Sequence, residues 1–136
     1  MVNVKVGKLS DNSIAVLERR YLTRDEEDNV TESPKEMFRR VAHAIASQEK
    51  SYKATIKEIK SLSDKFFKMM WDLDFVPNSP TLMNAGTGQG TLSACYVLDI
   101  DDNMSSIMTS AHDQAMIEKF GGGIGFSLSG IRPKGK

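Results

Sequence analysis

The stretch TLSACYVLDIDDNMSSIMTSAHDQAMIEKFGGGIGFSLSGI, residues 91–131, decides how this chain is organised. Residues 91–100 form a mostly apolar run of strand length, rich in β-formers, which predicts a buried strand. Met104, Ile107, Met108, Ala111 and Ala115 then recur with the 3.6-residue period of a helix over 101–120. Asp101 and Asp102 stand at its start, where carboxylates cap amide groups and meet the positive end of the helix dipole. Gly121–Gly123 stop that helix, and the following IGFSLSGI reads as a second strand. Strand, helix, strand in this order is a βαβ unit, whose two strands run parallel. Two parallel strands do not make a sheet covered on both faces. The segment therefore reads as the opening of an α/β barrel or large sheet, with further strands to come from elsewhere.

Moving towards the N-terminus, residues 75–90 (FVPNSPTLMNAGTGQG) hold two prolines, two asparagines and three glycines, and are read as loop-dominated. Before them the pattern is helical. Ile14, Leu17 and Tyr21 make one apolar stripe, and residues 23–32 form a charged, turn-rich loop. Ser33, Pro34 and Glu36 then spell a capping box, followed by Met37, Phe38, Val41 and Ile45 on one face. A weaker start at Ser63 leads to the stripe Phe66, Phe67, Met70 and Leu73. The expected organisation is a helical lobe over 1–75 and the first strand-helix-strand elements of an incomplete α/β barrel over 76–136. From the lobe, stripes as core and charges as solvent face, no chemistry is expected.

Composition narrows the function classes. Eighteen basic residues balance eighteen acidic ones over 136 residues, so no global field draws the chain to nucleic acid or to a membrane surface. No apolar run approaches the roughly 18 residues of a membrane span. The opening MVNVKVGKLS lacks the basic end and apolar stretch of a secretory signal. One cysteine, Cys95, excludes an internal disulfide, and a cytoplasmic protein is the simplest expectation. His43 and His112 have no second ligand at metal spacing and read as solvated helix histidines, so no metal site is expected.

The glycine loops resemble phosphate cradles without meeting the rules for one. Gly86-x-Gly88 is followed by Thr91 where a dinucleotide fingerprint needs glycine, and the loop at 121–125 meets Phe126 or Leu128 there. Neither is followed by Gly-Lys-Ser/Thr, which excludes a P-loop. Gly121–Gly123 have a second possible use, since glycine lets a backbone approach a ligand closely beside the strand carrying Cys95. On pattern alone Cys95 is either a small apolar filler or half of a redox pair.

Several long motifs carry a family resemblance. LERRYL (17–22), ESPKEMFRRVA (32–42), PNSPTLMNAG (77–86), LSACYVLDIDDNMSSI (92–107) and KFGGGIGFSLSGIRPKG (119–135) resemble, in order, the N-terminal part of the ribonucleotide reductase large chain. The wording is most similar to the adenosylcobalamin-dependent (class II) type, with the di-iron (class I) large subunit as a related alternative.

The resemblance implies that Cys95 is one of two thiols that reduce the ribose 2′ position of a ribonucleotide and close into a disulfide. It implies that Ser79, the backbone at Ala94 and Cys95, and Gly123 contact substrate. It also implies that Asp102, Asn103, Met104 and Arg132 belong to a site for a deoxynucleotide specificity effector. The helix over 104–120, with its methionine stripe, matches the element through which dimeric members pair. The radical cysteine, the second thiol and the adenosylcobalamin site would lie in the remainder of the barrel, a missing segment or a second chain. Alone, the chain would then be inactive: a natural split subunit, a fragment, or a non-catalytic nucleotide-binding or interaction module derived from the enzyme.

Overall fold

A computed structural model describes residues 9–136; the first eight positions of the predicted lobe lie outside the described residues. The elements run α1 (Asp11–Arg20), α2 (Pro34–Ala46), a 3₁₀ segment (Ser47–Tyr52), α3 (Ile56–Trp71), α4 (Ser79–Asn84), β1 (Cys95–Asp99), α5 (Met104–Lys119) and β2 (Gly123–Ser127).

Helix α2 begins where its sequence says it should. The Ser33 side chain accepts from the Glu36 amide, the Glu36 carboxylate accepts from the Ser33 amide at 2.7 Å, and Pro34 occupies the first turn. Its buried face, Met37, Phe38, Val41, Ala42 and Ala46, is the centre of the core, joined by Leu17, Leu22, Met70, Leu82 and Ala85. Ile45, expected on that face, is more than a third exposed. Trp71 closes one side, stacked on Phe67 at 5.7 Å and edge-on to Phe38 at 6.3 Å.

Two starts differ from expectation. Helix α3 begins a full two turns before Ser63, with Thr55 as cap in a second capping box closed by Glu58. Ser63 lies inside the helix, because Thr55 and Glu58 satisfy the free amides earlier. Residues 75–90 are not all loop. Asn78 caps the Thr81 amide at 3.0 Å, and Pro80 sits in the first turn of α4.

Arg40 ties α4 to the lobe. Its guanidinium pairs with Glu32 at 2.6 Å and donates to the carbonyls of Ala85 (2.6 Å) and Leu82 (3.3 Å) at the C-terminal end of α4. The two charged side chains are only 14% and 9% exposed, so the pair is largely out of water and fully hydrogen-bonded. Gly86 follows with φ +80°, and a Cβ there would stand 2.9 Å from Arg40 Cγ. Only glycine fits both the left-handed backbone and the close approach.

Strands β1 and β2 pair in parallel, Cys95 opposite Gly123 through Asp99 opposite Ser127. The expected βαβ unit is therefore present, as a two-stranded sheet. The expectation of a buried β1 is overturned. Along it Cys95, Val97 and Asp99 are exposed, while Tyr96 and Leu98 are half-buried. Val97 is 78% exposed. Helix α5 covers one face of the pair and nothing among the described residues covers the other.

Candidate functional site at the strand ends

The N-terminal ends of β1 and β2 are brought together by a short network from α4. Thr81 Oγ1 donates to the Leu92 carbonyl at 2.8 Å. Asn84 Nδ2 donates to the carbonyls of Thr91 at 2.8 Å and Phe120 at 3.4 Å. One side chain thus holds the residues just ahead of both strands. Thr91 Oγ1 in turn meets the Tyr96 hydroxyl.

Cys95, the first residue of β1, is exposed on the uncovered face, with Gly123 as its cross-strand neighbour. The Gly123 amide donates to the Ala94 carbonyl at 2.6 Å. That amide is taken, so what Gly123 offers the open face is the absence of a side chain. A Cβ built there would meet nothing closer than the Ala94 carbonyl at 3.6 Å, and one at Gly125 would meet nothing within 4 Å. Internal packing does not require glycine at either position. Together they leave a thin, accessible floor beside the thiol.

The other predicted residues fall into two places. Ser79 is the first residue of α4 and its hydroxyl is bonded to Tyr21 Oη at 2.9 Å. Asp102 and Arg132 meet: the guanidinium donates Nε–H to the carboxylate at 2.6 Å and Nη2–H to the Asp102 carbonyl at 3.3 Å. The cap of α5 is Asn103, whose side chain accepts from the Ser106 amide at 2.9 Å. This corrects the assignment of that role to Asp101 and Asp102. Asn103 is the better cap here because Asp102 is committed to Arg132. Met104 opens the helix, exposed to solvent.

The face that α5 turns to the strands is not its predicted stripe. Ser110 is its one buried residue, donating to the Asp99 carbonyl at 3.2 Å, with Ser106, Asp113, Gln114 and Ile117 partly covered. Met104, Ile107, Met108 and Met116 are exposed. His43 and His112 are both exposed, the latter beside Asp113 at 3.1 Å. Among the described residues no group of three or more His, Cys, Asp and Glu side chains could hold a metal ion, and no helix is long and apolar enough to cross a membrane.

Comparison with known proteins accounts for both halves of this architecture. The family model described as "Ribonucleotide reductase, all-alpha domain" matches residues 7–90, and "Ribonucleotide reductase, barrel domain" matches 93–136. The chain belongs to the ribonucleotide reductase family. It is 37% identical to the vitamin B12-dependent ribonucleoside-diphosphate reductase of Thermoplasma acidophilum, over 93% of this chain and 23% of that protein. Against the enzyme of the same description from Mycobacterium tuberculosis the identity is 38%, over 94% and 18%. Among solved structures, the class Id ribonucleotide reductase alpha subunit of Actinobacillus ureae superposes with a TM-score of 0.74 at 28% identity, over 94% of this chain and 22% of its own. The chain thus spans about a fifth of the length of the relatives it matches. Its strand-helix-strand unit is a partial reductase barrel behind the helical N-terminal domain.

Sequence reasoning missed Thr81, Asn84 and Tyr21. The first two had a readable signal, since Asn78 two residues before Pro80 is a helix start. Tyr21 had none, because its partner lies 58 residues away.

Proposed function

We propose that the chain supplies one redox-active thiol and parts of the substrate and specificity-effector sites to a ribonucleotide reductase making deoxyribonucleotides for DNA replication in the cytoplasm. The observation that carries this is the placement of Cys95: exposed, first in β1, beside Gly123, on the sheet face left open. A barrel closed by further strands would turn that face inward, making the glycine floor the base of a nucleotide pocket. The organisation is a helical lobe up to residue 75 and the barrel start over 76–136, with α4 as the bridge.

The reaction assigned to Cys95 requires a partner thiol from the rest of the barrel. Ribonucleotide plus two thiols give deoxyribonucleotide, one disulfide and water: the C2′–O bond breaks, the hydroxyl leaves as water, and the dithiol provides two electrons and two protons. Ser79 and the backbone at Ala94 and Cys95 hold the substrate, and Gly123, without a side chain, lets it approach the sheet. Asp102, Asn103, Met104 and Arg132 form the effector site, where an arriving deoxynucleotide separates the Asp102–Arg132 pair, its phosphate taking the guanidinium and its sugar hydroxyl the carboxylate. The exposed methionine face of α5 fits self-association of the complete enzyme.

The higher identity to B12-dependent relatives supports adenosylcobalamin as the cofactor, which when bound in the complete enzyme initiates the radical. The described residues do not fit that group. Neither the apolar concavity between α2, α3 and residues 75–81, about 290 Å³ and walled by core side chains such as Val41, Phe66 and Met70, nor the groove beside Leu17 and Tyr21, about 440 Å³, is large enough for a corrin. Its site belongs to the remainder of the enzyme.

Cys95→Ser in the complete reductase is the test. Deoxyribonucleotide formation over multiple turnovers should disappear while substrate and effector still bind. Retained turnover would overturn the assignment of the thiol.

A further inference from the structure

Among the described residues of the helical lobe, Tyr21 is the one whose side chain is bonded to a candidate site residue. Its ring packs against the core and lines a groove with Leu17, Phe38 and Leu82, and the Arg20 guanidinium lies 5.9 Å from its centroid. The backbone is fixed as well, since Tyr21 ends α1 and donates its amide to the Leu17 carbonyl at 2.9 Å. A tyrosine held at both ends presents its hydroxyl at a defined point with little entropy left to lose. That point is Ser79 Oγ, 2.9 Å away.

We propose that Tyr21 is a positioning residue of the substrate site, acting through Ser79. The inference rests on the reading of Ser79 as a substrate contact. A phenol, with a pKa near 10, is a stronger donor than an aliphatic alcohol. Tyr21 therefore donates and Ser79 Oγ accepts. The serine keeps its own hydrogen for another acceptor, and accepting one bond strengthens the bond it donates. Ser79 is exposed, and without Tyr21 its hydroxyl would sample three staggered rotamers. With Tyr21 one rotamer is selected, and the free hydrogen is available to a phosphate or ribose oxygen of the nucleotide. The lobe thereby reaches the chemistry without touching the substrate.

The test uses the complete reductase and measures kcat, KM for the ribonucleotide and the thermal midpoint in Tyr21→Phe, Ser79→Ala and the double variant. Phenylalanine keeps the ring and removes only the hydroxyl. Tyr21→Phe should raise KM by about 3- to 10-fold with kcat and midpoint unchanged. Ser79→Ala should raise KM at least as much, and adding Tyr21→Phe to it should do nothing more. If Ser79→Ala raises KM and Tyr21→Phe does not, or if the two effects simply add, the positioning role is overturned while Ser79 stands. If Ser79→Ala leaves KM unchanged, the substrate reading of Ser79 fails and takes this inference with it. A lowered midpoint with unchanged KM makes Tyr21 structural and overturns it too.

Discussion

The two halves of the chain bury themselves to different extents. In the helical lobe Met37, Val41 and Ala46 are removed from water, the Arg40–Glu32 pair is satisfied on every side described, and two helices begin with full capping boxes. Across β1, α5 and β2, residues 95–127, one residue, Ser110, is buried, and it is polar; Val97 is 78% and Met108 61% exposed. Hydrophobic burial is the main favourable term in folding, so the first half carries its own stabilisation and the second borrows order from its neighbours. Apolar side chains left in water on both sides of a βαβ unit are surfaces that the further elements of a complete barrel would cover.

The largest effect that could break this contrast is at Arg40. Arg40→Ala leaves Glu32 buried without its partner and the Leu82 and Ala85 carbonyls without a donor, and should cost about 3 kcal/mol in urea denaturation. Val97→Ser on the open face should change the same measurement by less than about 0.5 kcal/mol. Equal losses would mean that the two halves fold as one unit with shared stability. A smaller effect lies at Lys53, exposed and held at φ +65° after the 3₁₀ segment. Lys53→Gly removes the left-handed strain but frees the unfolded chain, and should raise lobe stability by about 0.5 kcal/mol. A loss there would show that the lysine stem contributes packing.

The smallest effect is a pH dependence in the lobe. Glu58 and Glu36 accept hydrogen bonds from the amides of Thr55 and Ser33, which lowers both carboxyl pKa values below the ordinary 4.5. A depressed folded-state pKa means stability that is present above 4.5 and lost as pH falls through the folded value. Helix α5 is capped instead by the uncharged Asn103. Glu58→Gln should therefore lower the thermal midpoint slightly at neutral pH and flatten part of its fall on acidification below pH 4.5, the two proteins converging in acid. An unchanged acid slope would remove the capping box from the account.

What was legible in the sequence follows from how local each signal is. Ser33-Pro34-x-Glu36 contains its own hydrogen-bond partners within four residues, so the start of α2 could be read directly. The same holds for Gly121–Gly123 as the end of α5. Thr55-x-x-Glu58 is equally local, but its first turns carry few large apolar residues, whereas the bulky stripe Phe66–Met70 marks only the later half of the helix and points to Ser63 as its start. The direction of α5 was not legible in principle. Periodicity reports that a helix has an apolar side, not what that side faces; here Met104, Ile107 and Met108 face away from the strands and Ser110 faces them. At the site, Cys95 with Gly123 and Asp102 with Arg132 were named from motif resemblance, and the structure brings each pair together. The Tyr21–Ser79 bond depends on how α1 and α4 pack, which no single stretch encodes.

The connector between α4 and β1 has a consequence for what length changes the chain can accept. Gly86 is set against Arg40 at one end, and Thr81 and Asn84 grip Leu92 and Thr91 at the other. Extra residues at the loop tip around Gly88, where a Cβ would meet nothing within 4 Å, can bulge outwards without disturbing either anchor. A single residue inserted between Leu92 and Cys95 has no such outlet. It would advance β1 by one position against β2, and strand side chains alternate between faces. The thiol would then turn under α5, opposite Ile124, and Tyr96 would stand on the open face where Val97 was, so the spacing from 92 to 95 is as much a part of the site as the cysteine itself.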